Sequence, residues 1–310
     1  LSCACYLAEK GYKPVVFEKS ERPGGMLTYG IPSFKLQKDV IEAEVEVIRL
    51  MGAEFRYGVE VGRDVTLDEL RAQGFKAFYV AIGCQGGRLA GIPGEDAEDV
   101  TVAVDFLREV NSGKIDALPG RTIVVGGGNV AIDVARNACR LGSEHVEMFC
   151  LESETQMPAS EEERREAVED GAHISCGWGP KEVHLDEAGR VCGITFKRCT
   201  RVMDDEGRFA PEYDENDLRR VDADRVVMSI GQSIVWGDLL AGSKVELGRG
   251  QGALADPQTY QTAEPDIFVG GDVYTGPSFA IDAIAAGHEA AVSIHRFVQP
   301  GSTLTIGRNQ

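Results

Sequence analysis

One short stretch in the middle of the chain constrains the fold more than any other. It reads Ile-Val-Val-Gly-Gly-Gly-Asn-Val-Ala and occupies residues 123–131. A β-branched run ends there in a glycine cluster, and residues 132–136 continue it as a predicted helix. A G-x-G-x-x-A pattern between a strand and a helix is typical of dinucleotide binding. The stretch therefore predicts a parallel α/β unit of the Rossmann kind.

The small residues of this turn explain the prediction. Gly126 allows a sharp turn after the strand, and Gly128 allows the backbone to approach a pyrophosphate. Ala131 is small enough for the helix to pack on the strand. The helix start at Asn129 and Val130 offers free N–H groups and a partial positive charge to the phosphates. These five residues are therefore predicted nucleotide contacts.

Composition narrows the class of protein further. A chain of 310 residues is long enough for two domains with separate cores. Its formal net charge of −18 argues against partners such as nucleic acid or an anionic membrane surface. No apolar run approaches the roughly 20 residues that span a bilayer.

Cysteine and histidine usage predicts no metal site. The eight cysteines include no C-x-x-C pair, and the five histidines lack the spacing of metal ligands. Scattered cysteines in a chain of this size fit a reducing compartment, and we therefore expect the protein in the cytoplasm.

The first residues predict the second half of another nucleotide-binding fold. Residues 1–11 have the pattern of an amphipathic helix ending at a glycine, and residues 13–18 predict a buried strand that ends in Glu18. An acid at this place binds a ribose hydroxyl in Rossmann folds. An ordinary strand with a solvent-exposed Glu18 is the alternative. Because nothing caps the helix, we expect the sequence to begin inside it, after the first strand and glycine loop.

Later segments predict further α/β elements. Helical periodicity predicts three helices, at residues 40–51, 102–110 and 279–297. Strands are predicted at 54–61, 78–83, 146–151 and 266–272. Residues 173–228 are rich in strand character, and the polar stretch 204–216 is predicted to be a long hairpin loop. Asp272 ends the last strand beside a helix start, where it could hold a sugar hydroxyl.

Together these elements predict an α/β protein with two Rossmann-like, three-layer nucleotide-binding domains.

Motifs along nearly the whole chain resemble the two-dinucleotide-binding flavoproteins, in particular the small (beta) subunit of glutamate synthase and its relatives. The likeness rests on motifs that follow the family's order: Phe17–Lys19, Pro23–Leu27, Tyr29–Pro32, Ala81–Gly83, Gly126–Asp133, Ala135–Arg136, Leu141–Gly142, Met157–Ala159, Ser229–Gln232 and Gly270–Asp272. The resemblance implies that the second domain, residues 96–236, is inserted in the first, which comprises residues 1–95 plus 237–310. It also implies FAD in the first domain and a nicotinamide nucleotide in the second.

The resemblance also implies which residues contact the cofactors. The FAD contacts would be Glu18, Lys19, Gly25, Leu27, Val61, Ala81, Gly83, Gly271, Asp272, Ala280 and Ile281. Of these, Glu18 would bind the adenosine ribose and Asp272 the ribitol or pyrophosphate, with the backbone near Ala280 and Ile281 facing the isoalloxazine. Gly231 is also included among the cofactor-binding residues.

Two departures from the family pattern bear on the cofactors. The family's first glycine loop and its N-terminal cysteine-rich iron–sulfur segment are absent from the sequence. We therefore expect FAD to bind this chain weakly or not at all, and iron–sulfur clusters to occur only in a missing segment or a partner.

The second departure concerns the nicotinamide nucleotide. NADPH-using relatives place an aromatic residue and two arginines after the second strand, whereas residues 149–154 read Phe-Cys-Leu-Glu-Ser-Glu. Glu152 would accept hydrogen bonds from a ribose diol and repel a 2′-phosphate, so NADH is favoured over NADPH. Glu152 as a solvated loop acid is the alternative, and Arg164 and Arg165 could still reach a phosphate.

By resemblance, the reaction is hydride transfer from NAD(P)H to FAD, with electrons passing to an iron–sulfur partner or larger redox subunit. No catalytic side chain is predicted, because this transfer needs stacked rings in close geometry, not an acid or a nucleophile. Two alternatives stay open. One is a disulfide reductase of the thioredoxin reductase type, which the absence of C-x-x-C disfavours; the other is a non-catalytic NADH-binding subunit.

Overall fold

A computed structural model describes residues 1–301 of the chain. Within them, the helices are α1 (Ser2–Glu9), α2 (Met26–Tyr29), α3 (Lys38–Leu50), α4 (Leu67–Ala72), α5 (Ala103–Asn111), α6 (Asn129–Arg140), α7 (Glu161–Glu169), α8 (Asp272–Thr275) and α9 (Ala280–Val298). The strands are β1 (Val15–Glu18), β2 (Glu54–Tyr57), β3 (Phe78–Val80), β4 (Gly86–Gly87), β5 (Val100–Val102), β6 (Arg121–Val125), β7 (His145–Cys150), β8 (His173–Cys176), β9 (Trp178–Leu185), β10 (Val191–Met203), β11 (Phe209–Val221), β12 (Arg225–Met228), β13 (Gln232–Ser233) and β14 (Ile267–Val269). No helix in this part of the chain is long and apolar enough to cross a bilayer.

The chain divides into two compact units. Unit 1 comprises Leu1–Thr28, Ser33–Gly86 and the chain from Ser233 onward, and unit 2 comprises Tyr29–Pro32 and Gly87–Gln232. Unit 2 is thus an insertion within unit 1. The predicted domain boundaries, after residues 95 and 236, lie nine and four residues further along the chain than the observed ones, and Tyr29–Pro32 falls in unit 2 and not in the predicted first domain.

Unit 2 is built on a parallel sheet with the strand order β5-β12-β6-β7-β8. Alternate residues of the central strand β6 face opposite sides of this sheet. On one side, Val124 joins a core with the fully buried Phe106 of α5 and Ile132 of α6. Truncation of a side chain such as Ile132 to alanine would cost about 2–5 kcal/mol.

The other side of the parallel sheet is covered by a second sheet, not by helices. Ile123 and Val125 join a core with Ile194 of β10, and the ring of Phe149 stacks on that of Phe196 at 3.9 Å. The three layers of unit 2 are therefore helices, a parallel sheet and an antiparallel sheet of order β11-β10-β9.

The prediction of a long hairpin loop over residues 204–216 is wrong. The chain turns tightly at Asp204, whose Oδ1 accepts hydrogen bonds from the backbone N–H groups of Glu206 and Arg208 at 3.0 and 2.8 Å. From Phe209 the chain returns as β11, paired with β10. Most side chains of β11 are exposed, so the sequence lacks the alternation of apolar and polar residues by which strands are recognised.

Unit 1 contains two pairs of parallel strands, β1 with β2 and β14 with β3. The predicted strand 54–61 ends earlier, at Tyr57, because Gly58 takes a φ of +68°, which interrupts the extended chain. The helices predicted at 40–51 and 279–297 are confirmed as α3 and α9.

Helix α1 packs closely on α9 in unit 1. A Cβ on Gly287 would clash with the hydroxyl of Ser2, so only glycine permits this approach. The Ser2 hydroxyl donates to the Ile284 carbonyl at 3.0 Å, and the rings of Tyr6 and His288 stack at 3.9 Å. The predicted helix at the start of the sequence is confirmed, and it forms part of the core of unit 1.

Candidate nucleotide-binding sites

The glycine turn of unit 2 lies at the carboxyl end of β6 and leads into α6. Gly126 takes a φ of +144°, and a Cβ on it would clash with the backbone carbonyl of Ser229, at the end of β12. Its N–H donates to the carbonyl of Phe149 on β7 at 2.8 Å. The turn is thus fixed between the ends of two neighbouring strands, and position 126 requires glycine for both backbone and packing reasons.

The start of α6 is open. Gly128 is the N-cap residue, and a Cβ on it would meet no atom within 4 Å. No side chain caps the helix and its first turn contains no acidic residue, so the positive end of the helix dipole is uncompensated. Asn129 accepts a hydrogen bond from the N–H of Ser160 at 3.1 Å, Val130 is half-buried and Ala131 is fully buried. This arrangement has the space and the donors that a pyrophosphate needs.

Glu152 reaches this turn from the end of β7. A Cβ on Gly127 would lie 3.0 Å from Glu152 Oε2, so the carboxylate lies directly beside the glycine turn. The Glu152 carbonyl accepts the N–H of Gly177 at 2.9 Å and the thiol of Cys150 at 3.7 Å. The structure therefore places the Glu152 carboxylate beside Gly127, in the same turn as the five predicted residues.

The two arginines that could oppose Glu152 have other surroundings. Arg164 Nη1 donates to the carbonyl of Glu154 at 2.6 Å. Arg165 is exposed and lies 3.7 Å from Glu169 in an ion pair along α7. Arg164 therefore supports the loop after β7, whereas the charge of Arg165 is shared with an exposed acid.

Two buried donors near these elements have no protein partner. Within residues 1–301, the Ser229 hydroxyl and the Arg164 Nε make no hydrogen bond although both atoms are buried. Buried polar groups in native proteins are almost always paired, so a polar ligand fits here. Ser229 was not among the predicted contacts; its signal was only its place in the motif that also holds Gly231, where φ is +119°.

The predicted FAD contacts of unit 1 begin at the end of β1. Glu18 Oε1 accepts the N–H of Ser20 at 2.8 Å, so part of its capacity as an acceptor is used within the chain. Lys19 Nζ lies 3.8 Å from Glu60 Oε1 in a half-exposed ion pair. Glu18 thus lies at the carboxyl end of a parallel strand, the position expected for a ribose-binding acid.

Gly25 and Gly83, two of the predicted FAD contacts, both lie near the side chain of Gln85, which was not among the predicted residues. Cβ atoms on Gly25 and Gly83 would lie 3.9 and 3.5 Å from Gln85 Nε2, and both glycines have positive φ. Ala81, between β3 and Gly83, is exposed. Nothing in the local sequence distinguishes Gln85, because its position depends on how the loop after β3 approaches residue 25.

Leu27 and Val61, two further predicted FAD contacts, take part in interactions that hold the local structure together. The Leu27 carbonyl accepts Lys38 Nζ at 2.9 Å, which fixes the loop before α3. Val61 forms an isolated bridge with Val65, and its side chain packs on the core that includes Leu67. Both residues therefore stabilise the structure of unit 1 through these interactions.

Gly271 and Asp272 follow β14, where Gly271 takes a φ of +67°. Burial raises the pKa of the Asp272 carboxyl, while the N–H of Ser278, 3.2 Å away, stabilises its ionised form. Within the described residues the Asp272 carboxylate accepts this N–H and forms no ion pair, so it can accept a hydrogen bond from a hydroxyl ligand. Cys84, next to Gly83, donates its thiol to the Asp272 carbonyl at 3.8 Å, which links the two predicted segments.

The first turn of α9 presents apolar side chains to the surface of unit 1. Phe279 is 74% and Ile281 66% exposed, and Ala280 is also exposed. Contiguous exposed apolar residues mark surfaces that bind a ligand or a partner.

A parallel sheet, a glycine turn with an open helix start and an acid beside it define a nucleotide-binding α/β protein. The chain belongs to the pyridine nucleotide-disulphide oxidoreductase family, whose pattern matches residues 1–287.

Curated relatives agree with this assignment. The chain is 35% identical over 310 residues to the NADP(+)-dependent formate dehydrogenase subunit beta of Moorella thermoacetica, an alignment that covers 98% of this chain and 43% of that protein. It is 34% identical to the glutamate synthase [NADPH] small chain of Escherichia coli strain K12, with 96% and 66% covered. The NAD-dependent dihydropyrimidine dehydrogenase subunit PreT of Escherichia coli O157:H7 is 32% identical, with the same coverage. The predicted resemblance is therefore confirmed, and the chain spans between two fifths and two thirds of the length of these relatives.

Solved structures confirm the fold class. FprA of Mycobacterium tuberculosis in complex with NADPH superposes with a TM-score of 0.78 at 18% identity, covering 96% of this chain and 82% of that one. Thioredoxin reductase of Lactococcus lactis gives a TM-score of 0.71 at 19% identity, with 96% and 94% covered. These likenesses establish a shared α/β fold.

Proposed function

We propose that this chain is the nucleotide-binding part of a flavin-dependent oxidoreductase that oxidises NAD(P)H, with the nicotinamide nucleotide in unit 2 and, in the full-length protein, FAD at unit 1. The observation that carries the proposal is the start of α6. A required glycine at 126, open space at Gly128 and uncapped N–H groups occur there together, beside the unpaired hydroxyl of Ser229. Family membership and relatives whose names include NADPH or NAD support it.

The residues of the chain would bind and orient the cofactors without acid–base chemistry. In unit 2, the start of α6 would hold the pyrophosphate. In unit 1, Glu18 and Asp272 would accept hydrogen bonds from hydroxyl groups, while Phe279 and Ile281 would exclude water from a flat ring. Bound FAD supplies the capacity to accept a hydride and release electrons one at a time. We propose that an iron–sulfur partner or larger redox subunit receives them, as the relatives' names of subunit and small chain suggest.

We further infer that NADH is preferred over NADPH. The Glu152 carboxylate lies beside the glycine turn, where it would accept hydrogen bonds from a ribose diol. A 2′-phosphate at this place would meet a like charge. Arg164 donates from Nη1 to the Glu154 carbonyl and keeps only its buried Nε for a polar ligand, and Arg165 is paired with Glu169. The relatives include proteins named for either cofactor, so the preference must come from this chain's own residues.

A cofactor comparison tests both statements. Dye reduction by the full-length protein is measured with NADH and with NADPH, for the wild type, Glu152→Gln and the matched control Glu154→Gln, whose side chain is exposed. A hydrogen bond to a charged group contributes about 1.5–3 kcal/mol, so Glu152→Gln should lose about 10- to 100-fold in kcat/KM for NADH. The kcat/KM for NADPH should rise, because Glu152→Gln removes the like charge that the 2′-phosphate would meet, and Glu154→Gln should match the wild type.

Two results would contradict the proposal at different levels. Equal kcat/KM for NADH and NADPH in the wild type would refute the cofactor preference. Absence of both dye reduction and nucleotide binding would refute the oxidoreductase assignment itself. A flavin absorbance spectrum of the same preparation reports FAD binding independently of turnover.

A further inference from the structure

Two cysteines lie side by side at the edge of unit 2 that carries Glu152. Cys150 ends β7 and Cys176 ends β8, and the register of these strands pairs the two residues directly. Their sulfur atoms are 3.6 Å apart. Neighbouring strands lie about 4.7–4.9 Å apart, and disulfides join residues whose Cα atoms are about 4.4–6.8 Å apart. The backbone therefore already has the spacing of a disulfide, and closure needs mainly side-chain rotation.

The same two cysteines lie next to the hydrogen bonds that hold the backbone carbonyl of Glu152 in place. The Glu152 carbonyl accepts the Cys150 thiol at 3.7 Å and the N–H of Gly177 at 2.9 Å. One of the two contacts to this carbonyl thus comes from Cys150, and the other comes from Gly177, the residue directly after Cys176. A bond between the sulfurs would remove the thiol donor and draw the two strand ends together.

No third side chain converts the pair into a metal site. Over the described length of the chain, no three His, Cys, Asp or Glu side chains come close enough to hold a metal ion. The chemistry available to the pair is therefore that of two thiols.

We propose that Cys150 and Cys176 are a disulfide-forming pair, oxidised by small-molecule disulfides, and that closure of the bond weakens dinucleotide binding at Glu152. The second part rests on the proposed function of unit 2. The first part concerns only the two sulfurs and stands without it.

The exchange proceeds in two steps. Cys176 is half-buried and Cys150 is 3% exposed, so a small disulfide RS–SR meets Cys176 first. The Cys176 thiolate attacks one sulfur, the RS–SR bond breaks and RS⁻ leaves. The Cys150 thiol then loses its proton and attacks the Cys176 sulfur, expelling the second RS⁻. Two electrons pass from the cysteines to the oxidant, and the two thiol protons convert both RS⁻ to RSH.

Burial explains why the pair stays reduced until such an oxidant is present. Burial raises the pKa of the Cys150 thiol, and the neighbouring Cys176 sulfur raises it further. Because the thiolate is the nucleophile, the second step is the slower one and accelerates as the pH rises.

Peptide mapping tests the bond directly. The purified intact protein is incubated with oxidised glutathione, blocked with N-ethylmaleimide and digested with trypsin without reduction. Cleavage gives residues 141–164, whose only cysteine is Cys150, and residues 166–181, whose only cysteine is Cys176. A linked pair of these two peptides is expected. Recovery of Cys176 as a glutathione adduct with Cys150 alkylated, or as free thiol, would overturn the proposal.

Titration with NADH, followed by its fluorescence, tests the consequence. The oxidised protein should bind NADH about tenfold more weakly or worse, as expected when a hydrogen bond to a charged group is lost, and dithiothreitol should restore binding. Cys176→Ser should no longer respond to oxidised glutathione, whereas Cys192→Ser, which removes a half-buried cysteine of β10, should respond as the wild type does.

The two measurements separate the possible failures. A linked peptide with unchanged NADH affinity would refute the connection to Glu152. A reduced protein that binds no NADH would refute the proposed function and with it the second part of the proposal, while the peptide map would still decide the disulfide.

Discussion

Replacing Asp170 by asparagine should destabilise unit 2 by about 2–3 kcal/mol, since it removes one of the counter-charges of a buried arginine. Arg136 lies on α6 with 8% of its side chain exposed, and its Nε donates to Asp170 Oδ2 at 2.7 Å. Arg140, one turn further along, donates to both oxygens of the same carboxylate at 2.9 Å. Asp170 is the C-cap residue of α7, so this one carboxylate joins α6 to α7.

The magnitude follows from burial and from the partners that remain. Removing one member of a buried ion pair costs about 3–5 kcal/mol. Here Glu166 still pairs with Arg136, and the Asp170 side chain is 19% exposed, so the expected loss is smaller, about 2–3 kcal/mol. For a domain of this size, 1 kcal/mol corresponds to about 2–4 °C in Tm, so the variant should unfold about 4–12 °C lower.

Thermal and urea unfolding, followed by circular dichroism, measure the loss against Glu169→Gln. Glu169 is the neighbouring acid, but it and Arg165 are both about two-thirds exposed, with 3.7 Å between their charged groups. An exposed pair contributes at most about 0.5 kcal/mol along a helix. Equal losses in the two variants would refute the reasoning, because burial would then make no difference.

The pH dependence supplies a second check on the same carboxylate. Burial alone would raise the pKa of Asp170, but hydrogen bonds from Arg140 and Arg136 hold it below its ordinary value of 3.8. The carboxylate therefore stabilises the folded state above about pH 3.8, and this stabilisation is lost as the pH falls through the lower, folded-state pKa. The wild type should therefore remain more stable than Asp170→Asn until the pH falls to the folded-state pKa of Asp170.

Two further substitutions address the candidate sites. Gly126→Ala should abolish NADH binding and lower the free energy of unfolding by about 3 kcal/mol or more, since its Cβ would clash with the Ser229 carbonyl at an unfavourable φ. The control Gly142→Ala, at a φ of +92° but with open space around it, should lower it by only about 1–2 kcal/mol in urea unfolding. Asp272→Asn should stabilise the unliganded protein at neutral pH. Burial raises the pKa of the Asp272 carboxyl, so the folded wild type binds a proton there more tightly than the unfolded chain does. The stability of the wild type therefore falls as the pH rises above 3.8. Unfolding at several pH values measures this, and a wild type that gains on the variant with rising pH would contradict it.

The glycine turn and Glu152 could be predicted from the sequence because their signals are local. Gly126 and Gly128 fall within one short motif, and Glu152 follows the next strand at the spacing that Rossmann folds use. In the structure Glu152 lies beside Gly127 of this turn, and its role in nucleotide binding stays a prediction. Local periodicity also sufficed for the principal helices, whose ends differ from the predicted ones by only one or two residues.

The rest depended on contacts between distant segments. Strand β11 is held by its hydrogen bonds to β10 while most of its side chains face solvent, so its polar sequence indicates a loop. The significance of Gln85 and Ser229 depends on which backbone approaches them, Gly25 in one case and Gly126 in the other. The antiparallel sheet that replaces one helical layer of unit 2 likewise has no local signature, because any apolar surface would satisfy Ile123 and Val125 equally well.

The insertion of unit 2 within unit 1 sets an order of events during synthesis. Strand β3 pairs with β14, whose residues emerge from the ribosome about 190 residues later. At a synthesis rate of about 5–20 residues per second, β3 remains without its partner strand β14 for roughly 10–40 s. Nearly all of unit 2 is translated within that interval. The inserted unit can thus complete its own sheet first, while the earlier segments of unit 1 remain the part of the nascent chain most exposed to aggregation and to chaperones.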